Sequence, residues 1–414
     1  MGATFTVEHR DAASRGRAGR LRVGHGEVRT PAFVPLATRG AVRGLLPREV
    51  AALGYDMVLG NTYHLLLDPG PEVVARHGGL HGFMGWDGPI VTDSGGFQVF
   101  SMGHGSVADE VKGRRGAGKT DGAVLAIEEE GVRFRSYFDG AERLLSPEGS
   151  MAVQAALGSD VALAFDECTP FHVSREYTER STERTHRWLE RCLSWHARHG
   201  PPGQLLFGIV QGGVHEDLRR ESARRVAGSG CQGVAIGGSL GRDKAQMHEV
   251  VGWATDELSR HADGAPRHLL GIGEVDDLIR GVELGVDLFD CAMPTRLARH
   301  GMALVPEPGG RWRTDLTKAA SRDELEPVLP GCRCEACAGG YSRSYLRHLI
   351  RARELTGMRL VTVHNLTFVA DVMAALRGAL AAGTLAETAA ALRSGEAPAA
   401  SGPAPAASGP ALSP

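Results

Sequence analysis

Lysine is almost missing. The 414-residue chain holds only Lys112, Lys119, Lys244 and Lys318, and arginine supplies the rest of its 46 basic residues. Against 49 acidic residues the net charge is −3. No global basic character marks a nucleic-acid binder, so any RNA site has to be a local arginine patch. The lysine shortage, with heavy alanine and glycine use, reads as compositional bias of a genome and not as function. Long apolar runs are lacking too. None approaches the roughly 20 residues that span a bilayer, so no membrane association is expected. The opening MGATFTVEHR has no apolar core, so no secretory signal is expected either. Cysteines number seven. A small odd count in a large chain argues against a disulfide framework and for a reducing, cytoplasmic compartment.

What is present is the composition of a globular enzyme with a large core, 42% hydrophobic and 23% charged. Eight short, continuously apolar runs recur: 32–35, 57–59, 89–92, 161–165, 205–210, 234–236, 268–270 and 286–289. Runs of this kind suit buried parallel strands. Helical stretches are predicted between them at 71–76, 147–156, 176–198, 215–226, 244–261 and 275–284. Alternation with eight strands favours an α/β fold, a (β/α)8 TIM barrel, over an open doubly wound sheet.

Three segments break the rhythm. Residues 102–135 are Gly-rich and charged and read as an inserted loop or hairpin. Within them, Gly113-x4-Gly118-Lys119-Thr120 matches the P-loop pattern. A P-loop needs a buried strand before it and a helix after it. Here polar VADEVK precedes and Asp-Gly follows, so we reject a nucleotide site. Residues 305–370 are expected to form a zinc-binding subdomain near the last strand. Cys332-x-Cys334-x2-Cys337, with His364 further on, can close a tetrahedral zinc site with no position left for water. The alternative is a set of buried or redox thiols. The barrel domain is expected over residues 1–385, and 386–414, rich in Ala, Pro, Ser and Gly, as a disordered tail.

Asp93, Asp166 and Asp290 each follow an apolar run. In a barrel these strand ends share one rim, where active sites lie. Three carboxylates there can divide nucleophile, acid/base and anchoring roles; the plainer alternative is helix N-capping. Asp93-Ser94-Gly95-Gly96-Phe97 places an acid, two glycines and an aromatic together, and Gln211-Gly-Gly and Ile236-Gly237-Gly238 repeat the theme. Glycines admit a flat ligand, Phe97 could stack on it, and glutamine suits a nucleobase edge. Tight βα turns are the bland alternative.

In order along the chain, DSGGFQVFS at 93–101, FDECTP at 165–170, IVQGG at 209–213, AIGG at 235–238 and FDCAMPTR at 289–296 resemble the motifs of bacterial tRNA-guanine transglycosylases, the queuine tRNA-ribosyltransferase family. So does the cysteine cluster with VHNL at 363–366. The likeness covers about residues 4–382. It implies a (β/α)8 barrel with one structural zinc per chain, held by Cys332, Cys334, Cys337 and His364. It implies exchange of the wobble guanine of tRNAs with a G-U-N anticodon for a 7-deazaguanine base, 7-aminomethyl-7-deazaguanine in most bacterial members, on the way to queuosine. By resemblance Asp290 is the nucleophile and Asp93 the general acid/base. Asp93, Ser94, Gly95, Gly96, Phe97, Asp166, Cys168, Gln211, Gly238 and Leu270 surround the base. Gly271, Ile272, Gly273, Glu274, Val275, Asp276 and Asp277 form one anticodon-loop contact, and Thr295, Arg296, Leu297, Ala298 and Arg299 form another. A homodimer is expected from the resemblance alone. Two departures stand out. Ser239-Leu240-Gly241-Arg242-Asp243 replaces the usual Leu-Ala-Val-Gly-Glu, where the 7-substituent is read, and Leu270 stands where Met is usual. A reading of another class is a catalytically silent zinc-containing RNA-binding protein, which would need neither Asp93 nor Asp290.

Overall fold

The computed structural model describes residues 4–104, 124–169, 171–238, 240–307 and 312–399. In chain order its strands are β1 (Thr4–Arg10), β2 (Arg17–Val23), β3 (Gly26–Thr30), β4 (Ala32–Val34), β5 (Val58–Gly60), β6 (Ile90–Thr92), β7 (Val124–Ile127), β8 (Val132–Arg135), β9 (Glu142–Leu145), β10 (Val161–Leu163), β11 (Leu205–Val210), β12 (Gly233–Ile236), β13 (Arg267–Leu269), β14 (Leu288–Asp290), β15 (Met302–Leu304) and β16 (Arg313–Asp315).

Eight of them form one parallel sheet in the order β4-β14-β13-β12-β11-β10-β6-β5. A parallel bridge from Leu36 to Leu59 joins its two edges and closes the barrel. Every expected apolar run coincides with one of these strands. Inside the barrel Val34, Leu59, Val91, Leu163, Phe207, Ile209, Ala235 and Leu288 pack as a core of their own, separate from the larger core between strands and helices. Side chains of one strand alternate between these two cores, which is why the runs are apolar without a break. The six expected helices are all present, within about two residues at each end.

The antiparallel sheet β1-β2-β3 plugs the N-terminal mouth, with Leu21 and Val28 joining the interior core. Arg17 pins it there. Its guanidinium spans both carboxylate oxygens of the buried Asp287, at 2.9 and 2.5 Å, and donates to the Ala265 carbonyl at 2.7 Å. At the other end of β2, Asp160 accepts from the Ile90 amide at 2.8 Å and meets the stacked His25 and His81 rings at 2.8 and 3.2 Å. Those are hydrogen-bond separations, and the cluster ties the hairpin turn to β6.

Between β6 and β10 lies a second antiparallel sheet, β7-β8-β9. Its Val132, Phe134 and Leu145 are buried, so the described part of the expected insertion is a hairpin docked on the barrel. The P-loop-like residues 113–120 lie outside the described residues. After β14 come the β15–β16 hairpin, short helices, and a long helix, Leu355–Ala382, which packs on the outside of the barrel.

Two expectations need correction. Leu355–Ala382 is long and apolar enough to cross a membrane, contrary to the reading that no such stretch exists, but 67% of its most apolar window is buried inside the protein. The structured chain also passes residue 385. Leu385–Arg393 is a helix, and Leu385, Ala389 and Leu392, at helical spacing, are buried. Its alanines read as low complexity, yet alanine is the strongest helix former. Residues 400–414 lie outside the described residues.

Candidate active site

Asp93 follows β6 at the C-terminal rim and is caught in a ring of donors. The Thr62 amide reaches its Oδ1 at 2.9 Å and the Gly95 amide at 3.2 Å, while Asn61 Nδ2 and Gln98 Nε2 reach Oδ2 at 2.5 and 3.2 Å. Asn61 itself caps the helix Thr62–Leu67 by accepting from the His64 amide at 2.9 Å. One side chain therefore starts the helix and orients the acid. Burial pushes Asp93 up to about 7, and the nearby negative charge of Asp290 adds to the rise. The ring of donors opposes it and loses. A carboxyl raised to that range suits a group that both gives and takes a proton.

Asp290 ends β14. It is largely buried, and its Oδ1 lies 3.0 Å from His268 Nε2 and accepts from the Gly271 amide at 3.3 Å. Asp166, beyond β10, is buried and held by Gln211 Nε2 at 2.6 Å and the Ser94 hydroxyl at 3.1 Å. Burial raises Asp166 to about 6, against those two hydrogen bonds. Its neighbour Glu167 is occupied elsewhere, by the Tyr177 hydroxyl and by Arg184.

The glycines earn their places by contact. A Cβ on Gly96 would sit 2.7 Å from the Asp166 carbonyl, and one on Gly238, where φ is +78°, would sit 2.0 Å from Gln211 Oε1. That Oε1 is buried and has no hydrogen-bond partner among the described residues. An orphaned acceptor beside a buried carboxylate and a hydroxyl is a recognition edge for a ligand rich in N–H donors. Phe97 is 43% exposed and Leu270 half-buried, so both present apolar surface near this edge. Cys168 is half-buried next to Asp166 in the chain.

Arg219 was not singled out from the sequence. It is fully buried and donates to the carbonyls of Val210, Gly213 and Gly237 at 2.8–3.2 Å. It thereby locks the β11 and β12 loops that carry Gln211 and Gly238. Asn61, Thr62, Gln98 and His268 were missed as well.

The expected RNA segments are divided by burial. Gly273, Val275, Asp277, Thr295 and Ala298 point inward, and Asp277 meets His248 at 3.0 Å and Lys244 at 3.5 Å. Gly271, Ile272, Glu274, Asp276, Arg296, Leu297 and Arg299 keep exposed surface. Arg43, beyond β4, joins this set. Arg299 is held below its ordinary value by burial and by the charges of Arg43 and Arg296, so three arginines crowd one rim. They form a local cluster of positive charge on a chain of net charge −3.

In the C-terminal subdomain Cys332, Cys334 and Cys337 lie 3.8, 3.4 and 3.4 Å from His364 Nδ1. Ordinary Zn–S and Zn–N bonds in a tetrahedron predict S···N edges of about 3.6 Å. The donor set thus fits zinc. His364 Nε2 lies 2.7 Å from the Leu304 carbonyl, which fixes the tautomer that leaves Nδ1 free for metal. Four protein donors leave no open position, so the ion would be structural. It would join the Cys332–Cys337 loop to the long helix that carries His364.

The model of the family "Queuine tRNA-ribosyltransferase" matches residues 11–396. Among curated relatives, a queuine tRNA-ribosyltransferase of Roseiflexus sp. (strain RS-1) is 49% identical over 93% of this chain and 98% of its own. One of Pelotomaculum thermopropionicum is 45% identical over 93% and 96%, and one of Stenotrophomonas maltophilia (strain K279a) 45% over 92% and 94%. With a barrel, a rim of three carboxylates and a Cys3His cluster in place, the chain belongs to the queuine tRNA-ribosyltransferase family of tRNA-guanine transglycosylases.

Proposed function

We propose that the protein replaces the wobble guanine of G-U-N anticodon tRNAs with a 7-deazaguanine, 7-aminomethyl-7-deazaguanine by preference, through a covalent enzyme–tRNA intermediate. The observation that carries this is the pairing of two rim carboxylates with different environments: Asp93 raised to about 7 inside a ring of donors, and Asp290 held by one oxygen. Asp290 attacks ribose C1′ on the face opposite guanine. A C1′–O bond forms as C1′–N9 breaks, and the electron pair leaves with guanine, which takes a proton from Asp93. The incoming base gives its N9 proton to Asp93, N9 displaces the ester, and the carboxylate is restored. Two inversions give retention, by the logic of retaining glycosidases. Asp166, Gln211, Ser94 and the Gly238 backbone read the guanine edge common to both bases, with Cys168 alongside. Phe97 and Leu270 flank the ring. The target nucleotide leaves its stack to reach them, and Arg43, Arg296 and Arg299 attract the anticodon loop. The segment 240–243, continuing from Ser239 outside the described residues, reads the 7-substituent.

The active protein is a cytoplasmic homodimer with one structural zinc per chain on this reading, the dimer resting on the family resemblance. The experiment is exchange of labelled guanine into G-U-N tRNA, followed by a chase with candidate bases. Release of label by 7-aminomethyl-7-deazaguanine at lower concentration than by queuine supports the reading. A strong preference for queuine overturns the choice of base, and no incorporation of guanine overturns the function in favour of a silent RNA-binding protein.

A further inference from the structure

His268 is fully buried in the wall of the barrel. On β13 it lies in register with Ala235 on one side and Leu288 on the other. Both neighbours belong to the interior core, so the imidazole points inward among Ile209, Leu270, Ala235 and Leu288. An imidazole is a poor filler for such a space, because buried polar atoms without partners are destabilising. Neither ring nitrogen has a hydrogen-bond partner among the described residues, and the short approach of Nε2 to Asp290 lies off the line of an N–H···O bond. Nε2 lies 3.0 Å from Asp290 Oδ1, and the Gly271 amide reaches the same oxygen at 3.3 Å. No described residue donates to Oδ2. The carboxylate is therefore held by one oxygen and free at the other.

We propose that His268 is a positioning residue for the nucleophile: its Nε2–H, within reach of Asp290 Oδ1, turns onto that oxygen beside the Gly271 amide, so that Oδ2 is the atom that attacks C1′. The inference rests on the reading of Asp290 as nucleophile. In the first step the Oδ2–C1′ bond forms, C1′–N9 breaks, and the electron pair leaves on guanine. Oδ1 becomes the ester carbonyl, with the Gly271 amide and the turned Nε2–H as its two donors. In the second step N9 of the incoming base displaces Oδ2, and the pair returns to a carboxylate already held by those donors. His268 moves no proton. Its contribution is to hold the rotamer of Asp290, so its loss slows both chemical steps and leaves tRNA affinity alone.

The test uses full-length protein with the substitutions His268→Phe, His268→Gln and, as a reference, Asp290→Asn. A hydrogen bond to a charged group is worth about 10–100-fold in rate. His268→Phe should lower kcat for guanine exchange by that factor, keep KM for tRNA within about twofold, and slow formation of the denaturation-resistant protein–tRNA adduct in parallel. Gln carries an amide nitrogen near the Nε2 position, so His268→Gln should recover most of the loss. Unchanged kcat in His268→Phe overturns the proposal. So does an equal loss in both variants accompanied by weakened tRNA binding, which marks His268 as packing only. If Asp290→Asn still forms the adduct, the nucleophile assignment itself is wrong, an outcome distinct from either result at His268.

Discussion

At the scale of single residues, two buried carboxylates carry opposite demands. Asp93 sits near neutrality because burial and Asp290 outweigh four donors. A proton-shuttling role then splits the two half-reactions by pH. Adduct formation needs protonated Asp93 and should fall as pH rises past about 7. Resolution by incoming base needs the ionised form and should fall as pH drops below that value. Single-turnover kinetics from pH 5.5 to 8.5 reads both limbs; parallel profiles for the two steps would exclude the shared-proton role. Asp166 gives a stability prediction. Its folded-state value is raised to about 6, so the folded state holds a proton that the unfolded chain releases near pH 4. Its contribution is intact below that ordinary value and is lost as pH rises through about 6. Asp166→Asn cannot ionise, and Gln211 and Ser94 can each turn to suit an amide. Relative to the parent, the variant should gain on the order of 2–3 kcal/mol above pH 6 and nothing near pH 4, read as urea midpoints at the two pH values. An advantage that grows toward low pH would reverse the sign and refute the argument. Asp93, Asp166 and Asp290 were legible in the sequence because each ends an apolar run beside distinctive motifs. Asn61, Gln98, Arg219 and His268 were not. Their roles come from contacts between distant loops, and a lone Asn or His has no local pattern that announces it.

At the scale of elements, strands were readable because both faces of a barrel strand are buried, which turns each into an uninterrupted apolar word. The helix Leu355–Ala382 was not, since burial on several sides erases the periodicity that marks an amphipathic helix. One tie of the plug sheet β1-β2-β3 to the barrel is a buried ion pair, Arg17 with Asp287. Asp287→Ala removes the buried partner of Arg17, leaving the guanidinium two backbone carbonyls and the half-exposed Asp263 carboxylate at 3.6 Å, and should destabilise the fold by about 3 kcal/mol. The double substitution Arg17→Met, Asp287→Leu should recover much of that loss; if it is as damaging as the single one, the sheet is pinned by something else. Metal ligation joins two other elements, the cysteine loop and the long helix. Purified protein should carry about one zinc per chain, and Cys334→Ala should lose the ion and melt earlier, because structural zinc binding is coupled to folding. Elemental analysis with a melting curve checks it, and a zinc-free parent chain that is folded and fully active would end the structural-zinc account.

At the scale of the whole molecule, closure of the barrel brings residues from 61 to 290 onto one rim. The plug seals the opposite mouth. Three arginines beside the rim supply a basic edge on a chain of net charge −3. The account therefore stands on what Asp290 does when tRNA is held there. The decisive measurement is denaturing electrophoresis of the enzyme after incubation with G-U-N tRNA and a deazaguanine analogue. The parent chain should give a shifted protein–RNA band, and Asp290→Asn should bind the tRNA but give none. A band that persists in Asp290→Asn and disappears in Asp93→Asn would contradict the account and move the nucleophile to the other carboxylate.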